Sequence, residues 1–158
     1  MKEQTCCFTG HRKIPQDDMQ RLKKALKYAI REKIAQGVLY FGAGGALGFD
    51  TIAAKAVIEL KNEFPEIKLI LVLPCPEQDK FWSVNDKKTY REIIEQADKV
   101  TVIDPHYTRE CMYKRNRHLV DNSVHCICYL TEETGGTAYT VKYAEKNGLD
   151  IINVASRL

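Results

Sequence analysis

At 158 residues the chain suits one domain with one core, residues 1–158, and its 44% apolar and 28% charged content is ordinary for a globular protein. Its longest apolar runs, residues 69–73 and 151–154, are strand-sized, far short of the roughly 18 residues of a membrane span. No signal peptide is visible, so a cytoplasmic protein with no membrane partner is expected, and a net charge of +3 is too small to argue for nucleic acid by itself.

Residues 4–9 read as a first strand, ended by the turn Gly10-His11-Arg12-Lys13-Ile14-Pro15. Asp17 or Asp18 can cap a helix running to about residue 36, in which Met19, Leu22, Leu26, Ile30 and Ile34 recur at helical spacing. Arg21, Lys23, Lys24, Lys27, Arg31 and Lys33 crowd this helix. They read as a solvated basic face, with a surface for nucleic acid or an acidic partner as the alternative. Gly37 ends the helix, and residues 38–41 form a second strand. It runs into Gly42-Ala43-Gly44-Gly45-Ala46-Leu47-Gly48-Phe49-Asp50, with four glycines in seven residues, and then a helix over residues 51–60. Residues 68–73 are a continuous aliphatic run, as in a parallel strand buried on both faces, and Pro74-Cys75-Pro76 stops it. An irregular stretch with Phe81 and Trp82 precedes a helix near residues 87–97. Residues 100–103, 108–122 and 124–130 read as strand, helix and strand. A second glycine turn, Glu132-Glu133-Thr134-Gly135-Gly136-Thr137, opens a helix over residues 138–146, and residues 151–154 form the last strand. This alternation predicts an α/β fold, a parallel sheet of about six strands with helices on both faces.

In such folds ligands gather at the carboxyl ends of the strands. The central glycine turn can supply backbone N–H groups and a helix N-terminus to a phosphate or similar polar group, with Gly44, Gly45 and Gly48 as its walls. The bland alternative is a tight turn that binds nothing. No G-K-[ST] follows it, and its spacing is not G-x-G-x-x-G, so the common ATPase and dinucleotide motifs are absent. Asp50 suits either helix capping or acceptance of sugar hydroxyls, and could act as a base. Gly10, His11 and Arg12 end the first strand at this edge, with Arg12 fitted to phosphate and His11 to hydrogen bonding or proton handling; a polar turn is the alternative. On a helical wheel Met112, Leu119, Val120 and Ser123 share a face that includes Asn116. Arg115 flanks that stripe and Arg117 points away, so Arg115 and Asn116 can face the ligand edge or brace a loop. Gly135, Gly136 and Thr137 offer a second anion-binding junction, and Trp82 and Tyr90 offer surfaces for a base or for plain packing. His106, His118 and His125 form no constellation. Of the six cysteines, Cys6 and Cys7 point to opposite faces, while Cys126 and Cys128 share one. None has C-x-x-C spacing, so they read as buried hydrophobes, with no metal or cofactor expected.

Gly10-His11-Arg12, Gly45-x-x-Gly48-x-Asp50, Arg115-Asn116-Arg117 and Gly135-Gly136-Thr137, in that order, resemble the SLOG superfamily, and within it the YpsA-like proteins. The resemblance covers nearly the whole chain. It implies a Rossmann-like fold that binds nucleotides or nucleotide-derived ligands, as a sensor or regulator, and a possible homo-oligomer. Relatives include the LOG phosphoribohydrolases and the single-stranded-DNA-binding protein DprA. These imply two alternatives: hydrolysis of an N-glycosidic bond, with Asp50 and Arg115 as candidate catalytic residues, and binding of single-stranded nucleic acid. Thr140 stands where the LOG motif P-G-G-x-G-T-x-x-E has its glutamate.

Overall fold

The computed structural model describes all 158 residues. Six strands alternate with five helices in chain order: β1 (Thr5–Gly10), α1 (Met19–Ala35), β2 (Tyr40–Ala43), α2 (Phe49–Leu60), β3 (Lys68–Leu73), α3 (Val84–Gln96), β4 (Lys99–Val102), α4 (Cys111–Asp121), β5 (His125–Tyr129), α5 (Gly136–Lys146) and β6 (Asp150–Asn153). All neighbours pair in parallel, in the order β4-β3-β2-β1-β5-β6. The fold is Rossmann-like, as expected. The chain winds outward from β1 to β4, then crosses back to lay β5 on the other side of β1. Connections after β1 and β5 therefore leave the sheet toward opposite faces, which opens a crevice between them.

Strand alternation sorts the core into two layers. Cys6, Phe8, Phe41, Leu69 and Leu71 pack under α1, α2 and α3, while Cys7, Val72, Cys126 and Cys128 pack under α4 and α5. The cysteines thus take the predicted faces and are buried. Burial pushes up the Cys6 thiol, the Cys7 thiol and burial push up Cys126, and burial raises Cys128 to about 12, so these thiols behave as small hydrophobes.

Some local expectations are corrected. Asp18 does not cap α1 with its side chain. A 3-10 turn over Gln16–Asp18 already gives it helical backbone angles, and its carboxylate pairs with Arg21 instead. α3 starts earlier than predicted because the Ser83 hydroxyl oxygen accepts from the Asp86 N–H at 3.1 Å. Lys33 is not part of a solvated face: it is 1% exposed. It lies on the inward stripe with Leu22, Leu26, Ala29 and Ile30. Its ammonium donates to Asp150 Oδ2 at 3.1 Å, His125 Nδ1 at 3.0 Å and Gln36 Oε1 at 3.4 Å. The rest of the basic face is partly neutralised, since Lys27 pairs with Glu59 in the last turn of α2 and Arg31 with Glu63 just past it.

Candidate functional site

At the carboxyl edge, where β1 and β5 part, lies a cleft of about 290 Å³. It is lined from four places: Thr9, Gly10, His11 and Arg12 at and just past the end of β1; Ala46 and Asp50 in and after the β2–α2 turn; Met112, Arg115 and Asn116 on α4; and Glu132, Thr134, Gly135, Gly136 and Thr137 from the β5–α5 connection into α5. A larger hollow of about 480 Å³ opens at the opposite end of the strands, near Thr5, Tyr40, Lys68 and Ser123, away from the helix N-termini.

The central glycine turn serves the protein's own side chains. A Cβ on Gly44 would stand 2.3 Å from Arg115 Nη1; on Gly48, 2.2 Å from the Arg12 carbonyl; on Gly45, 3.0–3.4 Å from Leu73, Tyr90 and Gln78. Gly44, Gly45 and Gly48 therefore lie behind the cleft wall, packed against side chains and a backbone carbonyl. Gly10 does reach the cleft, but its missing Cβ makes room for the Phe49 ring, with which any side chain there would collide. The second glycine turn is the opposite case. Gly135, with φ +101°, and Gly136 have nothing within 4 Å of a built Cβ. They open onto the cleft at the start of α5, whose first N–H groups lack intrahelical partners. Thr137 is nearly buried beside them.

Arg115 is only 4% exposed, yet it forms no ion pair within the protein. Its Nη1 donates to the Gly44 carbonyl and more weakly to Gln78 Oε1 at 3.5 Å. Nε donates to Asn116 Oδ1 at 2.8 Å, and Nη2 has only the Met112 sulfur at 3.6 Å. Burial lowers its pKa, an effect that Asp50 opposes; a guanidinium still stays charged near neutrality. Asp50 accepts from the Ala46 N–H at 3.3 Å. Burial raises its pKa, against the pull of Arg115, that N–H and Arg12. Arg12 is exposed with its guanidinium unpaired. His11 Nε2 accepts from the Thr131 N–H at 3.0 Å, so a neutral His11 carries its proton on Nδ1. The cleft thus holds two arginines and a glycine-opened helix start, against one buried and one exposed carboxylate, Asp50 and Glu132.

Of the expected site residues, Gly10, His11, Arg12, Asp50, Arg115, Asn116, Gly135, Gly136 and Thr137 meet here. Trp82 and Tyr90 do not line the cleft. Tyr90 is 5% exposed, its hydroxyl accepts from Gln78 Nε2 at 3.1 Å, and the Trp82 ring packs edge-on against it at 5.1 Å. The wheel of α4 is also shifted: Cys111, Arg115 and Leu119 form the buried row, and Asn116 is half-buried beside it. Thr9, Ala46, Met112, Glu132 and Thr134 line the cleft without having been singled out. Gln78, which braces the glycine turn, carries no sequence signal.

The profile of the YspA SLOG family matches residues 6–154. The chain belongs to that family. It is 32% identical over 144 residues to the SPbeta prophage-derived protein YoqJ of Bacillus subtilis, covering 83% of this chain and 84% of that one. It is 29% identical over 136 residues to YpsA of B. subtilis, covering 83% and 76%. Among solved structures it resembles DNA processing protein A (DprA) of Streptococcus pneumoniae, with TM-score 0.69, 20% identity and 95% of this chain covered. There it spans half of the longer chain. DprA of Helicobacter pylori, described for its single-stranded DNA binding mode, superposes with TM-score 0.65 and 19% identity, covering 99% of this chain and 72% of that one. At these identities the two structures share the fold.

Proposed function

We propose that the cleft binds a phosphorylated ribose of nucleotide type. Carrying this reading is Arg115, a nearly buried cation with no carboxylate within ion-pair distance and with Nη2 facing only the Met112 sulfur, in the same cleft as the unobstructed Gly135-Gly136-Thr137 turn. Burying a guanidinium is costly; Asp50 offsets part of that cost, and a bound anion would offset more. The α5 N-terminus supplies N–H donors and partial positive charge to the phosphate, Thr137 a hydroxyl, and Arg12 an exposed second cation. Asp50 repels a phosphate but accepts hydrogen bonds from ribose hydroxyls, which matches the mixed charge of the cleft. The family's nucleotide-ligand character, implied by the sequence motifs, supports the same reading.

Calorimetric titration with AMP, ribose 5-phosphate, NAD and ADP-ribose tests it. Arg12→Ala leaves the melting temperature unchanged, because the side chain is exposed and unpaired, and weakens binding about tenfold or more. Absence of binding by all four at millimolar concentration removes the proposal.

A second reading, cleavage of the N-glycosidic bond, rests on Asp50, a buried carboxyl with a raised pKa among cleft residues. Thr140, at the LOG glutamate position, is buried and donates to the Gly136 carbonyl at 2.9 Å. Asp50 would then be the acid group. Released base from nucleoside monophosphates, abolished in Asp50→Asn, supports hydrolysis; no release at any enzyme concentration discards it. Single-stranded nucleic acid, suggested by the single-stranded DNA binding of the structurally similar H. pylori DprA, is distinguished by affinity that falls steeply with salt. The pairing of Lys27 and Arg31 with acidic residues weakens the case for α1 as that surface.

A further inference from the structure

The cleft contains no Phe, Tyr or Trp, and its apolar lining is Ala46 and Met112. It can grip phosphate and sugar, but its only stacking surfaces are the Arg12 and Arg115 guanidiniums and the small His11 imidazole, which is tied to the Thr131 N–H and packs edge-on against Tyr129. The candidates from the sequence, Trp82 and Tyr90, are packed behind the central glycine turn. A larger aromatic ring for a base attached to a sugar held in the cleft has to come from an adjacent surface.

The adjoining seam between α4 and α5 carries two exposed rings. Tyr113 is 42% exposed and Tyr139 is 38% exposed. Their centroids lie 4.9 Å apart with an interplanar angle of 80°. Both stand in first turns, at the cleft end of their helices. Tyr113 is three residues before the cleft residue Asn116, and Tyr139 three residues after the cleft residue Gly136. Such i,i+3 positions are surface neighbours on a helix, about 5–6 Å apart. Arg117 fixes the arrangement by donating from Nη1 to the Tyr139 hydroxyl at 2.9 Å. The seam has a further tie, from the Tyr143 hydroxyl of α5 to Asp121 Oδ1 of α4 at 2.7 Å. Other exposed aromatics lie elsewhere: Tyr28 on α1, Phe81 on the β3–α3 connection, and Tyr107, whose N–H is held by Glu77 of that same connection.

We infer that the Tyr113–Tyr139 pair is the platform on which the ligand's planar base rests, rooted beside the phosphoribose cleft. The inference rests on the phosphoribose reading. A T-shaped pair leaves a ring face free for stacking, and tyrosine loses little side-chain freedom on contact. The Arg117 guanidinium adds a cation beside the base. The shared chemistry is a nucleobase on a phosphorylated pentose, whether free or within a single strand.

The test compares three probes on the full chain: ribose 5-phosphate, AMP and a fluorescent ten-residue oligothymidylate. Wild type, Tyr113→Ala, Tyr139→Ala and Tyr139→Phe are each checked for an unchanged melting temperature and helix content. The expected result is a preference of about tenfold or more for a base-bearing probe over ribose 5-phosphate, because aromatic stacking contributes on that scale. Either alanine variant collapses that preference toward unity and leaves ribose 5-phosphate affinity within about twofold. Tyr139→Phe keeps most of it, since the ring remains. Loss seen with AMP assigns a free nucleotide, and loss confined to the oligothymidylate assigns a strand; either supports the platform. The same preference in wild type and both alanine variants overturns the platform and leaves the phosphoribose site standing. Failure of every probe to bind wild type overturns the site reading and this inference with it.

Discussion

Gly136→Ala separates a glycine kept for a ligand from one kept for the fold. Gly136 opens α5, its φ is not positive, and a Cβ there meets nothing within 4 Å. Alanine therefore fits the unliganded protein, and it restricts the unfolded chain, which stabilises by about 0.4–1 kcal/mol. Unfolding entropy scales with length to about 0.33 kcal/mol/K for 158 residues, so the melting temperature should rise by about 1–3 °C. The same methyl group stands where a phosphate would approach the first N–H groups of the helix. Losing one charge-assisted hydrogen bond costs about 1.5–3 kcal/mol, or roughly 10- to 150-fold in affinity. The assay is paired scanning calorimetry without ligand and isothermal titration with AMP or ribose 5-phosphate. Higher stability with weaker binding is the expected signature. Affinity unchanged within about twofold would show that the phosphate does not sit on this turn. A fall in melting temperature would show that Gly136 serves the fold after all.

The central turn should behave in reverse. Gly44→Ala pushes into the Arg115 guanidinium and costs about 2–3 kcal/mol, through the displaced hydrogen bond to the Gly44 carbonyl. Gly48→Ala costs more, about 3 kcal/mol or above, because its obstacle is the Arg12 backbone and its φ is +77°; urea midpoints rank the two. The Lys33–His125–Asp150 cluster predicts a pH response. Burial first, and Lys33 second, hold the folded His125 pKa below its ordinary value. The unfolded chain then takes up the proton first on acidification. Stability from His125 is complete above about pH 6.5 and declines as pH falls below that value toward the folded pKa. His125→Asn keeps an acceptor for Lys33 without the titration, so its urea midpoint should drop less between pH 7.5 and pH 5 than that of wild type.

The alternation of strands and helices was legible in the sequence, because buried parallel strands and amphipathic helices leave different periods. So was the Gly135-Gly136-Thr137 turn, whose place after a strand and before a helix suffices to put it at the carboxyl edge. The use of the first glycine turn was not legible. A glycine cleared for a phosphate and one cleared for an arginine look identical in sequence, and the arginine here comes from 71 residues away. Lys33 reads as one more basic residue until β5 and β6 bring His125 and Asp150 beneath it. Its position on the stripe of Leu22, Leu26 and Ile30 was the available clue. Asn116 and Arg115 exchanged depths because a helical wheel assigns its buried centre from apolar residues, and the deepest row of α4 contains a guanidinium. Tyr90 is aromatic at the right edge of the sheet, but α3 turns it inward to Gln78.

Arg115 and Gly44 form a unit of inheritance. Any side chain on residue 44 collides with the guanidinium, and any shorter residue at 115 leaves the Gly44 carbonyl without its charged donor. The two positions lie in different halves of the chain, yet neither is free to drift while the other is kept. The expectation for the family is that lineages abandoning the arginine release the glycine, and those keeping it hold both. Substitution patterns at these two sites would therefore trace where the buried cation of the cleft has been retained or lost.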